Sequence, residues 1–259
     1  LARGLLPRLA ALTLACFGLR VLWLARQSFW LDEGFSAALS AGPLWYILQQ
    51  SFTREPNPPL YFLLLHLWRI PAGSGEFAIR FLSLVPAVAA APLLYGIGRR
   101  LAGRAAGLAA LVLVAVNPYL IWLAQEARMY SWALLWTTLG AYALLRALAG
   151  NRNAHWGLFA LANLLAVYTH LYAVFVVGAE LVFLLLQPRR RKLLAGFAAA
   201  FVPILLFLPW FVSITAFAGE TSTWRGFIGV SDMLRVLGVN FASQGHLPAG
   251  LDDWFALLL

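Results

Sequence analysis

Seven long apolar runs follow one another along this chain, and few architectures can bury them. They are Leu5–Ala25, Ala78–Gly98, Ala105–Ala124, Met129–Leu148, Ala154–Thr169, His170–Gln187 and Leu193–Ala216. A helix crosses a bilayer with ~20 mostly apolar residues, within a range of about 17 to 25, and these runs meet or approach that length. They are continuous rather than alternating, which excludes a membrane β-barrel. Of 259 residues, 62% are apolar and 11% charged, against roughly a quarter charged in a soluble domain. The expected fold class is therefore all-α, a polytopic transmembrane helix bundle of about seven membrane helices. Arg3 and Arg8 precede the first run as in a signal peptide, but no small-residue cleavage site follows, so a retained helix is expected. Residues 254–259 read as the start of a truncated further helix, and the chain as a fragment.

The basic residues set an orientation. Eleven of the 19 fall in clusters at alternate ends of the runs: Arg3 and Arg8; Arg99, Arg100 and Arg104; Arg146 and Arg152; Arg189, Arg190, Arg191 and Lys192. Cytoplasmic loops collect Arg and Lys, so these ends are expected inside. The net charge of +9 is thereby a matter of topology, and it forms no face for nucleic acid. Nine of the ten acids then fall on the outer side, and only Glu180 lies within a run. The lone Cys16 permits no disulfide or cysteine metal site within the chain. Location in a bacterial inner membrane is expected, with the acids facing outward.

This arrangement constrains Pro58–Ile70, an apolar stretch that begins at a proline pair suited to a helix start. Counting it as a span would invert every later cluster, and at about 13 residues it is too short to cross. An interfacial helix is expected, with Tyr61, His66, Trp68 and Arg69 at the interface. Three units follow: a transmembrane module over 1–216, its first outer loop with interfacial helices over 26–77, and a second outer loop over 217–253. Asn117-Pro118 is expected to kink the third helix, Arg20 to snorkel outward, and Glu180 to make a polar helix–helix contact.

Chemistry concentrates in the outer segments. Asp32-Glu33 sits just beyond the first helix, and Gln125-Glu126-Ala127-Arg128-Met129-Tyr130 ends the third. Adjacent carboxylates at a membrane edge repel one another and cost desolvation, so they call for a partner or a task. Between these lie Asn57-Pro58-Pro59-Leu60-Tyr61-Phe62 and Glu76-Phe77-Ala78-Ile79-Arg80, and after them Tyr168-Thr169-His170-Leu171-Tyr172. All share one expected side. Taken singly, each has a plain structural reading: a helix cap, an interfacial ion pair, a polar turn.

In this order, the set resembles the membrane glycosyltransferases of the GT-C superfamily. The branch is that of the dolichyl-phosphate-mannose protein mannosyltransferases and the bacterial aminoarabinose transferases. The resemblance implies a sugar donor on a polyprenyl phosphate, transferred with inversion outside the cytoplasm to a protein, lipid or glycan acceptor. It also implies roles. Asp32 becomes the base that takes the acceptor proton, Glu33 orients base or acceptor, and Glu126 is the second acid of the cavity. Arg128 and His170, and more weakly Arg80, grip phosphate, while Tyr130, Asn57 and Tyr61 contact substrate. A divalent metal, if one is used, falls to Glu126 and Asp32. Relatives carry His where this chain has Asn57, which counts against a metal there. The alternative is a transporter or flippase of a lipid-linked substrate. Transporters place ionisable groups near the midplane on broken helices, whereas these acids lie at the boundary, which favours the enzyme.

Overall fold

The computed structural model describes residues 5–150, 153–187 and 190–217. The second outer loop and the further helix expected beyond residue 217 lie outside the described residues. Ten helices appear among those described: α1 (Leu5–Val21), α2 (Leu31–Ala41), α3 (Leu44–Thr53), α4 (Leu60–Ala72), α5 (Glu76–Val116), α6 (Pro118–Ala124), α7 (Tyr130–Gly150), α8 (Asn153–Thr169), α9 (Ala173–Leu185) and α10 (Arg190–Phe217). No strand occurs among these residues, and every predicted apolar run is helical for most of its length.

Length decides which helices can span. Glu76–Val116, Tyr130–Gly150 and Leu194–Ala216 are long and apolar enough to cross a membrane. The first is two helices in one, because Ala102 (φ −138°, ψ 19°) and Gly103 (φ 87°, ψ −176°) leave helical geometry. The second of these conformations is open mainly to glycine. The two arms fold back on each other: a Cβ on Gly107 would stand 2.7 Å from the Tyr95 carbonyl, and one on Gly98 would stand 2.9 Å from that of Ala106. Glycines let the hairpin close backbone to backbone, as small residues do in membrane helix pairs. The first of the two predicted spans thus runs past Gly98, and the turn is shorter than expected. The sixth run yields only the 13-residue α9, roughly 20 Å long.

The bundle is layered around α5. Helix α1 packs on α5, α5 on α7, α7 on α8, and α8 on α10. Cys16, Ala91, Tyr95 and Leu111 fill the seam between α1 and the two α5 arms. Ala143, Phe159, Leu184 and Ala200 fill that between α7, α8, α9 and α10. Helices α8 and α9 are joined at His170, whose N–H donates to the Ala166 carbonyl at 2.9 Å, the tight turn expected from the sequence. Glu180 also behaves as expected, accepting from Asn163 Nδ2 at 2.7 Å across the α8–α9 interface.

Two expectations are corrected by one physical requirement. Backbone groups away from water need partners, and helix ends expose carbonyls. At Asn117-Pro118 the third predicted helix does not kink but stops. Asn117 Oδ1 accepts from Leu120 N at 2.9 Å and caps a new helix, with Pro118 in its first turn. Pro118 has no N–H to offer the Val114 carbonyl four residues back. Arg20 supplies that donor instead. It does not snorkel: it is 1% exposed and donates to Val114 O at 2.8 Å, Ala115 O at 3.2 Å and Cys16 O at 3.1 Å. Helix α1 ends at Val21 rather than Ala25, and Gln125 Nε2 donates to Arg20 O and Leu22 O at 3.0 and 2.8 Å.

The same requirement gives the polar residues of α4 partners within the protein and corrects the interfacial reading of Tyr61. That segment is a helix of the expected length, but Tyr61 is fully buried. His66 Nδ1 lies 3.0 Å from Ser40 O, Trp68 Nε1 donates to Ala78 O at 2.7 Å, and Arg69 donates to Ala37 O and to Ser40 Oγ. These side chains serve the last turn of α2 and the first of α5. The exposed face of α4 carries Leu67 and Ile70 instead. Arg20→Met should cost about 2–4 kcal/mol through orphaned carbonyls, read as a lowered unfolding temperature in detergent, with Arg8→Met as the exposed control.

Candidate active site

The segments expected on the outer side converge at one end of the bundle, and a buried ion pair ties three of them together. Glu33 enters the first turn of α2, where a carboxylate favours the helix N-terminus, and accepts from Trp30 N at 3.3 Å. Its other contacts reach across the molecule. Arg80 Nε donates to Oε1 at 2.8 Å and Nη2 to Oε2 at 2.7 Å, and Ala127 N donates to Oε1 at 2.8 Å. The remaining N–H groups of Arg80 go to Leu24 O, Gln27 O and Ser28 O at 3.1, 2.6 and 3.2 Å. All five donors of the guanidinium are spent on the chain itself.

This corrects two expected roles. Arg80 has no N–H left for phosphate, and Glu33 has neither oxygen free to orient an acceptor. Both are buried and act as a clasp that joins the α1–α2 loop, α2, α5 and the Glu126 loop. Tyr61 likewise contacts no substrate. It sits within the core of α2, α3, α4 and α5 with Phe62 and Leu65, and burial pushes its phenol above the ordinary range.

The clasp leaves Asp32 beside Arg128. The Asp32 side chain is 46% exposed, and its Oδ2 lies 4.0 Å from Arg128 Nη2. Arg128 is buried; its Nη1 donates to Asp32 O at 3.2 Å and Ser36 Oγ at 3.1 Å, and Ser83 Oγ donates to its carbonyl at 3.0 Å. Its Nε has no partner. That Nε is enclosed, so the Nη2 group, held only by the 4.0 Å approach to Asp32, is the one that can hold an anion next to a base.

Three further groups complete the site. Glu126 is buried with Oε2 unpartnered. Burial, then the Glu33 carboxylate, push its carboxyl from 4.5 up to about 8, and Arg128 opposes the shift. At neutral pH Glu126 therefore holds its proton. His170 is drawn the other way: burial and then the Arg128 charge hold its imidazole down at about 4. Its Nδ1 accepts from Tyr172 N at 3.1 Å, which places the ring hydrogen on Nε2. His170 thus faces its surroundings as a neutral donor. Tyr130 packs its ring against it, tilted by 44°, at 5.6 Å between ring centroids.

Glu55 belongs here too, and sequence reading counted it only as one of the outer acids. It is buried, and its Oε1 accepts from Asn57 Nδ2 at 2.6 Å and Asn57 N at 3.2 Å. Burial raises its carboxyl, and the Asn57 hydrogen bond and Arg128 charge pull it back. The only available signal was its place two residues before Asn57. Among the described residues no three His, Cys, Asp or Glu side chains are grouped to hold a metal. Asp32 and Glu126 thus lack a third ligand there.

A cavity of about 860 Å³ opens beside the cluster, lined by Trp23, Trp30, Tyr119, Trp122, Gln125 and Glu126 among others. Glu126 faces it; Asp32 and Arg128 do not line it.

The sequence model of the dolichyl-phosphate-mannose-protein mannosyltransferases matches residues 56–217. The chain belongs to this family. It is an integral membrane glycosyltransferase of the GT-C type. Comparisons with curated proteins and with solved structures find no match. The matched segment holds Asn57, Arg80, Glu126, Arg128 and His170 but stops short of Asp32 and Glu33; Arg80 ties Glu33 to the family segment and Arg128 ties Asp32 to it. Arg80→Met should cost about 3–5 kcal/mol by stranding a buried carboxylate, measured by unfolding in detergent. Glu126 releases its proton more readily unfolded than folded, so its contribution to stability is full below about pH 4.5 and is lost as pH rises through about 8. Glu126→Gln should flatten the decline of unfolding temperature over that window.

Proposed function

We propose that this mannosyltransferase-family protein moves a sugar from a polyprenyl-phosphate donor to an acceptor hydroxyl, with inversion, on the extracytoplasmic side of a bacterial inner membrane. The observation that carries the reading is the pairing of accessible Asp32 with buried, incompletely satisfied Arg128. A phosphate-linked sugar already has a good leaving group. The reaction then asks for a base on the acceptor and for cationic donors on the departing phosphate.

In this reading the Asp32 carboxylate takes the acceptor O–H proton as the acceptor oxygen bonds to the anomeric carbon. The bond from that carbon to the phosphate oxygen breaks, and its electron pair leaves with the polyprenyl phosphate. Arg128 stabilises the departing charge, with neutral His170 as a hydrogen-bond donor. Protonated Glu126 adds no negative charge against the phosphate and can donate to it or to the sugar. Deprotonation of Glu126 would set two further charges, its own and that of the leaving phosphate, against each other. Glu33 and Arg80 take no part in the chemistry and position the others. The acceptor is a protein, lipid or glycan hydroxyl. Asp32 and Glu126 are the residues to which a divalent metal would fall, and no step here depends on one.

Asp32→Asn should lower transfer by a factor of at least about 100 while leaving membrane insertion and unfolding temperature unchanged; normal turnover removes Asp32 as base. Ser74→Cys, in the loop between α4 and α5, should label from outside the cell. Labelling solely from the cytoplasm would place the site on the other face.

A further inference from the structure

The opposite end of the bundle holds a second concentration of polar chemistry that sugar transfer does not use. Arg100, at the end of the first α5 arm, and Arg146, near the end of α7, both direct their guanidinium groups at Tyr142. Their Cζ atoms lie 5.5 and 5.9 Å from the centre of that one ring, and Arg146 Nη1 donates to the phenol oxygen at 3.3 Å. The ring has little freedom to move. A Cβ on Gly96 would stand 2.8 Å from Tyr142 Cε2, so the ring lies against the α5 backbone and serves as a fixed platform.

Two cations drawn to one ring repel each other unless an anion lies between them. Among the described residues no acid lies near them. From Phe77 to Gln125 there is no acid, and from Ala127 to Gly219 the sequence has Glu180 alone, which is paired with Asn163 between α8 and α9. Arg99 and Arg104, both exposed, add charge beside the pair. Membrane topology accounts for the presence of arginines at this end. It does not account for two of them converging with no counter-charge among the described residues.

We propose that Arg100 and Arg146, seated on Tyr142, bind the phosphate of an anionic phospholipid headgroup in the leaflet away from the catalytic end. Guanidinium groups suit phosphate through planar paired donors. A lipid source is favoured over free phosphate because the site lies at the ends of membrane helices, and its neighbour Leu101 is an apolar side chain left exposed where an acyl chain would run.

The test is thermal unfolding of the purified chain in nanodiscs of phosphatidylcholine alone or mixed with phosphatidylglycerol. Phosphatidylglycerol should raise the unfolding temperature of the parent chain and of Arg54→Gln, an exposed arginine on the far side. The gain should vanish in Arg100→Gln/Arg146→Gln and largely survive in Arg100→Lys/Arg146→Lys. In detergent micelles, the double Gln variant should bind a fluorescent phosphatidylglycerol about tenfold more weakly or worse. A gain unchanged in the double Gln variant, or equally lost in Arg54→Gln, overturns the site. Inorganic phosphate reproducing the gain in neutral nanodiscs overturns its assignment to lipid.

Discussion

The Glu33–Arg80 pair is the contact on which the organisation of the catalytic end depends. Two oppositely charged groups buried near a bilayer edge are expensive to desolvate, and their attraction alone rarely repays the cost. Here the cost is met by saturation: the guanidinium reaches both carboxylate oxygens and three backbone carbonyls, and the carboxylate also takes Trp30 N and Ala127 N. An apolar pair of equal volume would fill the space but would leave those carbonyls and the Ala127 N–H without partners. The pair therefore specifies geometry more than it supplies stability. It fixes where α2 begins relative to the loop after α6, and so how far Asp32 stands from Arg128.

A second pattern runs through the whole bundle. Helices stop inside or beside the apolar region, and side chains from other helices take up the carbonyls they expose. Arg20 serves the end of α5, Gln125 the end of α1, and His66 and Arg69 the end of α2. Trp210 Nε1 donates to Ser51 O at 2.7 Å near the end of α3. Irregular backbone at membrane depth is tolerated where protein groups satisfy it. These caps are what allow non-helical loops carrying Glu55, Glu126 and His170 to sit at the top of an otherwise continuous bundle.

Much of this was readable from residues alone, and the boundary of what was readable is physical. Apolar runs report burial in lipid whatever their neighbours, so the helices were legible, as was the shared side of Asp32, Glu126 and His170. Partners across the bundle were not. Arg20, Arg69 and Arg80 look alike in sequence, each a cation near a helix end, and snorkelling, interfacial exposure and phosphate binding are all open to such a residue. Which carbonyl or carboxylate faces it depends on where helices break, and the break at Asn117-Pro118 looked like a kink because the apolar run continues through it. Charge state was hidden for the same reason: whether His170 is neutral depends on burial and on Arg128 beside it, neither of which its sequence neighbours show.

The central claim is that Asp32 and Arg128 address opposite sides of one bond, the base facing the acceptor and the guanidinium the leaving phosphate. A cryo-electron microscopy structure in nanodiscs, with a non-cleavable polyprenyl-phosphonate sugar bound, tests it directly. The account predicts phosphonate oxygens within hydrogen-bond reach of Arg128 and the sugar's anomeric carbon turned toward Asp32. A headgroup bound away from both residues, or an anomeric carbon shielded from Asp32 by the phosphonate, would contradict it.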